Sequence, residues 1–293
     1  MLLLSLLLLA GGCVCLWVLH LTLQFKMPAK AASAQVINTP PVMDRESYIW
    51  IPPTEPETEP VEEETFALPP YELRIDMNQV QNYHNSNGDV IGWIRIQDTA
   101  VNYPIMQTDN NWFYTDHTWQ GHPSSAGAIF ADWRCDLDNT DNAVVYGHNL
   151  ANGSMLHAIK NYKVEDWGRR HPFIEVASLS RRYLYRVMSV NVLYGENGAK
   201  FEYWNFIRMN GARYRYYLES MRNTSQVWYA DDRHLPRDND DRIIALQTCN
   251  SGAHDGMRCV VFAQCMGDFT NISVYDDSVG LKESKTPPQE TRP

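Results

Sequence analysis

Cysteine is scarce: six in 293 residues, too few for the disulfide framework of a small secreted scaffold. Basic residues are outnumbered, 25 Lys and Arg against 35 Asp and Glu. That balance excludes a protein built mainly to grip nucleic-acid backbones. No Walker or dinucleotide-type glycine motif occurs. A repeat of about 20–50 residues, a Gly-X-Y period and a sustained heptad are also missing, which removes solenoid, collagen and coiled-coil architectures. What is present, 44% apolar and 20% charged residues, is too apolar for a wholly disordered chain and suffices for one or two domains.

The one long apolar run opens the chain. Residues 1–23 contain no Lys, Arg, Asp or Glu and are rich in Leu, close to the roughly 20 residues a helix needs to cross a bilayer. A cleaved signal peptide is the competing reading, with Ala32-Ser33-Ala34 as an A-x-A-like site. Its apolar stretch would be shorter, follow basic residues and end near the cleavage site. Gly11-Gly12-Cys13 is a poor lipoprotein-type site. Residues 1–25 are therefore expected to be an uncleaved transmembrane anchor. Lys26 and Lys30 follow the run and nothing basic precedes it, which by the positive-inside rule favours a cytoplasmic domain. Two lysines weigh little, because large domains translocate largely regardless of charge. Residues 27–70 hold nine of the sixteen prolines and a charge of −6. Residues 26–70 are thus expected to be a disordered, extended linker, a stalk or a plain spacer. A disordered tail is expected at 279–293.

Residues 71–278 remain as one folded domain of mainly β texture. Runs rich in Val, Ile and Tyr, bounded by Gly, Asn, Asp or Pro, predict strands at 90–96, 100–106, 127–131, 143–146, 173–177, 183–193, 243–248 and 258–265. Helical patterns predict helices at 77–84, at 154–162 with Ser154 as N-cap, and at 201–222. Many short strands with a few inserted helices point to a closed β-barrel.

Two apolar strands end on reactive side chains. Ala143-Val144-Val145-Tyr146 leads through Gly147 to His148 and Asn149, and Ile243-Ile244-Ala245-Leu246-Gln247-Thr248 leads to Cys249. A side chain at a strand end is rigidly aimed and still reaches solvent. Arg258 follows nine residues after Cys249 across a short turn-rich segment, the spacing of a hairpin that returns it beside the cysteine. A thiolate attacks carbonyls, a histidine serves as base and then as acid, and a permanently charged arginine holds a carbonyl or an oxyanion. By themselves these residues also suit a buried structural cysteine, a turn histidine and a surface arginine.

The Tyr146-Gly147-His148-Asn149 stretch, Leu246-Gln247-Thr248-Cys249 and Arg258 together resemble the signature of sortases, membrane-anchored cysteine transpeptidases of Gram-positive-type bacteria. Gly92-Trp93-Ile94, Tyr103-Pro104-Ile105-Met106-Gln107 and Ala128-Ile129-Phe130-Ala131-Asp132 extend the resemblance over residues 77–266. The chain is most similar to class B: it has an N-terminal apolar segment, no C-terminal one and no Asp-Pro-aromatic lid, and the long helix before the catalytic strand would be 201–222. The resemblance implies an eight-stranded sortase-type β-barrel. It makes Cys249 the nucleophile, His148 the acid and base, and Arg258 the group that positions substrate and stabilises the oxyanion. Asn149 and Thr248 would support them, and Asn111, Thr115 and Gln247 would touch substrate. Gln247 stands where the family has a small Ser or Thr.

The resemblance further implies cleavage of an Asn-Pro-x-Thr-type sorting signal after the threonine of a surface protein. Transfer would go to an amine of a peptidoglycan precursor or a pilin lysine. It implies no cofactor, no metal and no nucleic acid, and a domain outside the membrane. Two other readings stay open: a peptidase that passes the same thioester to water, and an inactive surface-binding module. Cys259 and Cys265 are about 20 Å apart on one strand, beyond disulfide reach, and are expected to pack in the core. Cys135 is expected to be a free thiol in a loop. His117 and His122 near Asp116 match no standard metal spacing, and Asp136, Asp138 and Asp141 lack the EF-hand glycine and distal glutamate.

Overall fold

A computed structural model describes residues 70–196, 198–230, 235, 241–250, 256–276 and 280–281, all within the unit Glu64–Pro293. Each of the eight expected strand runs forms a strand, with ends shifted by one to three residues. They are β2 (Val90–Arg95), β3 (Asn102–Met106), β4 (Ile129–Ala131), β5 (Asn142–Tyr146), β6 (Phe173–Ser178), β7 (Arg182–Tyr194), β9 (Ile243–Cys249) and β10 (Met257–Asp268). Hydrogen bonding runs in the order β10-β9-β5-β4-β3-β2-β6-β7, and β7 pairs back onto β10 from Asp268↔Tyr183 to Met257↔Tyr194. The sheet is therefore a closed eight-stranded barrel, which removes the open edges of a flat sheet. Strand β8 (Ser225–Trp228) adds to β7 outside the closure.

Strand β9 is buried from Ile243 through Leu246, and Cys259 to Ala263 of β10 are all at 0% exposure. Burial on both faces explains why these strands read as unbroken apolar runs. Their outer cover includes the short 3-10 helix His157–Lys163, whose Ile159 carbonyl accepts from the Cys259 thiol at 4.0 Å. A second layer ties the start of the domain to the barrel. Buried Glu175 accepts the backbone N–H groups of Arg74 (3.0 Å) and Ile75 (2.7 Å) and faces Arg95 at 3.5 Å. Helix α1 (Met77–Ser86) then starts at an Asp76 cap, whose carboxylate accepts from Asn78 N–H at 2.9 Å.

Several expectations change. The helix expected at 201–222 is α3 (Gly211–Asn223), preceded by a 3-10 turn, Tyr203–Asn205. Asn210 caps it by accepting from Arg213 N–H at 3.1 Å, so the apolar spacing from Phe201 to Met209 marks core packing rather than helix. The helix expected at 154–162 is the 3-10 helix, with Leu156 rather than Ser154 at its cap position. The Ser154 hydroxyl instead donates to Asn152 Oδ1 at 2.7 Å. Helix α2 (Glu165–Arg170) was not anticipated; it is a single polar turn-and-a-half without an apolar period. Three very short strands, β1 (Tyr71–Glu72), β11 (Val274–Asp276) and β12 (Gly280–Leu281), form a separate sheet. Residues 280–281 thus belong to it through backbone pairing rather than to a disordered tail. Among the described residues no helix is long and apolar enough to cross a membrane. The expected anchor at 1–25 and the linker at 26–70, apart from Pro70, lie outside the described residues.

Candidate active site

Strands β5 and β9 lie side by side and parallel, with Tyr146 opposite Gln247. Parallel neighbours end at the same rim, so His148, two residues past β5, and Cys249, the last residue of β9, emerge together. Two further bonds lock this exit. Gly147 N–H donates to the Gln247 carbonyl at 3.1 Å, and the buried Thr248 hydroxyl donates to the Gly147 carbonyl at 2.8 Å. The Asn149 amide donates to the Cys249 carbonyl at 3.0 Å, while its oxygen accepts from His157 Nδ1 at 2.8 Å. Asn149 and Thr248 therefore hold the two strand ends in register.

The exit opens into a cleft of about 240 Å³ lined by Asn111, Thr115, Phe130, Tyr146, Gly147, His148, Gln247, Thr248 and Cys249. Seven of the eight site residues singled out from the sequence fall in this cleft or on its bracing. Cys249 is half-buried, whereas Cys135 and Cys259 are buried, and burial pushes their thiols up to about 12 and about 11. Cys135 is free and in the loop between β4 and β5, as expected, but it is buried there, packing under β5 and accepting from Val144 N–H at 3.3 Å. Cys265 is half-buried and accepts from Arg242 at 3.5 Å. Among the described cysteines, Cys249 alone lines this cleft.

His148 is held by a contact that residue types do not reveal. Its Nε2 lies 2.6 Å from the Thr115 carbonyl. A carbonyl only accepts, so Nε2 carries the hydrogen, and Nδ1 is left free to exchange a proton. Gly127, at φ +59°, packs beneath this pair. A Cβ there would stand 2.7 Å from the Thr115 and Tyr114 carbonyl oxygens and 3.0 Å from His148 Cδ2.

Arg258 is the eighth residue. Its Cα is opposite Cys249 in the β9–β10 ladder, which puts both side chains on one face. It is not one of the cleft's lining residues. Its aliphatic stem lies against Gly195, where a Cβ would come within 2.4 Å of Cγ, and its guanidinium donates to the Met257 carbonyl at 3.2 Å.

The opposite wall is braced by a buried acid. Asp132 is at 0% exposure and accepts from Arg134 Nε (2.8 Å), Asn111 Nδ2 (2.9 Å) and the Tyr146 hydroxyl (3.0 Å). Burial alone would raise its pKa, but the bonds and charge of Arg134 outweigh that and hold it below the ordinary carboxylate range. Asn111 spends its oxygen on Trp133 N–H at 2.8 Å, so it shapes the wall as much as it faces the cleft. The Thr115 hydroxyl turns away to the Trp112 carbonyl. Gln247 accepts from the Tyr203 hydroxyl, leaving its amide N–H groups as the donors it offers beside Cys249. Asp132, Tyr203 and Gly127 were not singled out from the sequence; only the Ala128–Asp132 stretch of the resemblance pointed at one of them.

A family model, the Sortase domain, matches residues 94–266. The chain is 29% identical over 181 residues to sortase B of Listeria monocytogenes, spanning 61% of this chain and 69% of that one. Sortase B of Clostridium perfringens superposes with a TM-score of 0.57 at 28% identity, over 64% of this chain and 99% of the other. The sortase B–substrate complex of Staphylococcus aureus does so with 0.57 at 25% identity, over 65% and 85%.

Proposed function

Because the chain belongs to the sortase family, whose members are cysteine transpeptidases acting on sorting signals, we propose that it cuts an Asn-Pro-x-Thr-type signal after the threonine and passes the protein to an amine of a cell-wall precursor or a pilin. The observation that carries this is the shared exit of β5 and β9, which puts His148 and Cys249 in one solvent-accessible cleft.

The steps follow from the groups present. The Cys249 thiol passes its proton to His148 Nδ1, the thiolate so formed attacks the threonyl carbonyl, and the oxyanion forms beside Arg258. For that the guanidinium exchanges its bond to the Met257 carbonyl for one to the oxyanion, a stronger, charge-assisted contact. Collapse expels the downstream peptide as its amine, which takes a proton from His148 and leaves a Cys249 thioester. An incoming amine then attacks the thioester and returns its proton to His148, and the Cys249 thiolate departs. Gln247 meets the signal peptide as a donor next to the sulfur. We place this domain on the outer side of a membrane, tethered by the uncharged segment 1–23.

The test is to incubate the full chain in detergent with Asn-Pro-x-Thr peptides, with and without an amine acceptor, and to follow products by mass spectrometry. A Cys249 acyl adduct and ligated product, both absent in Cys249→Ala, are expected. An adduct that passes only to water makes the protein a hydrolase, and identical behaviour of wild type and Cys249→Ala overturns the enzymatic reading.

A further inference from the structure

A second pocket, about 370 Å³, is built from α1, β3 and the stretch leading into β4. It shares no lining residue with the catalytic cleft. Yet it touches the same machinery: Gly127 in its wall packs against His148, and Met155 in its wall bridges to Asn149.

Its lining is unusual in two respects. Four aromatic residues contribute, Tyr83, Trp93, Tyr103 and Trp119, and no lining side chain is charged. The rings are ordered before any ligand arrives. Tyr83 packs on Trp119 at 4.5 Å and on Trp93 at 4.9 Å, and Trp93 Nε1 donates to Asn102 Oδ1 at 2.7 Å. The exposed amides of Gln79, Asn102 and Gln120 stand around these rings.

A charged ligand would find no counter-charge here. An extended peptide added along β3 would meet Pro104, which has no N–H to give. Aromatic side chains beside neutral amides suit a ligand with C–H faces and many hydroxyl or acetamido groups. We propose that this pocket binds an uncharged saccharide, the glycan part of the amine acceptor. This inference rests on the transpeptidase reading above. Glycan docking behind Gly127 brings the acceptor amine to the His148 side of the thioester, where its proton is taken up.

The probe is chitotriose, a neutral N-acetylated saccharide, titrated into the full chain in a detergent without a sugar headgroup and followed by calorimetry. Saturable binding is expected, weakened about tenfold in Trp119→Ala and also weakened in Gln120→Ala. The exposed Gln120 variant decides the matter should Trp119→Ala unfold, which near-ultraviolet circular dichroism reports. In transfer assays triglycine carrying N-acetylglucosamine should show a lower KM than triglycine alone, and Trp119→Ala should abolish the difference. No chitotriose binding and equal KM values overturn the saccharide site. So does Trp119-dependent binding of triglycine itself, which would make the pocket a peptide site. Formation of the Cys249 acyl adduct by wild type in the same preparation separates these outcomes from failure of the transpeptidase reading.

Discussion

Substituting Gly127 by Ala isolates the positioning of His148. The loop supplies its own control, because Gly121 also has positive φ, +81° against +59°, but a Cβ at Gly121 meets nothing within 4 Å. Gly121→Ala therefore bears only the left-handed backbone cost, about 1 kcal/mol, and its Tm should fall by about 2–4 °C. Gly127→Ala bears the same cost and adds contacts at 2.7 Å to two backbone oxygens, which cannot swing aside as a flexible side chain would. One of those oxygens is the Thr115 carbonyl that holds His148 Nε2 at 2.6 Å, and the third contact is His148 itself. Relief must come from moving the loop, the imidazole or both. A shift of about 1 Å at an acid-base group costs on the order of 100-fold in kcat.

The assay is turnover of a sorting peptide, with nitrogen-15 NMR of the imidazole alongside. Wild type should show His148 with hydrogen on Nε2. Gly121→Ala should keep that signature and nearly full kcat, while Gly127→Ala should lose both. Equal kcat in the two alanine variants, with the Nε2–H signature intact, would refute the reasoning.

Three further outcomes follow from the surroundings of the cleft. Asp132→Asn takes the countercharge from Arg134, which still donates to the Trp204 carbonyl and Asn205 Oδ1 and keeps 32% of its side chain exposed, so it should cost about 1–2 kcal/mol in denaturant unfolding; a loss below about 0.5 kcal/mol would remove Asp132 as the brace of the Asn111 wall. Cys135 and Cys259 have folded pKa values raised by burial from 9.0 to about 12 and about 11, so the stability they lend is complete below pH 9 and is lost as pH rises through those values. Urea midpoints should fall between pH 9 and 11, less steeply in Cys259→Ala; a flat wild-type profile would contradict the burial of these thiols. Gln247→Ser removes the amide donor beside Cys249 and the acceptor of Tyr203, and should change the preferred residue in a library of Asn-Pro-x-Thr peptides with little change in thiol alkylation rate; an unchanged preference would take Gln247 out of substrate selection.

How much of this was legible depends on whether side chains or backbone carry the information. Runs such as Ile243-Ile244-Ala245-Leu246 state their burial directly, and all eight barrel strands could be placed because turn residues bound each one. The failures share a cause. Strands of two to four residues that lie outside an apolar run, such as β1 and β8, hold too few side chains to show a period of two. The stretch 201–209 joins the helical pattern because Phe206 and Met209 pack on the same core as Tyr214, Tyr217 and Met221 and prolong their spacing, yet no cap precedes it; the cap that decides the helix is Asn210.

The same distinction divides the site. His148 and Cys249 were visible because an apolar strand leads to each, and Arg258 because a hairpin spacing returns it beside the cysteine. The group that fixes the imidazole tautomer is a carbonyl of Thr115, and every residue has a carbonyl. Nothing in a threonine announces that its backbone oxygen will sit 2.6 Å from an imidazole 33 positions away. What a sequence can show is the space such an arrangement demands. Where two backbone oxygens and an imidazole ring converge within about 3 Å of one Cα substituent, only glycine fits, and Gly127 is there. An otherwise unexplained glycine just before a strand that leads toward a catalytic rim is thus the readable trace of an unreadable carbonyl. It also explains why the loop 113–127 bears on both pockets. One side of it holds the His148 imidazole in the cleft that Cys249 also lines, and the other walls the aromatic pocket, so a ligand pressing on that wall would reach the imidazole through a single glycine.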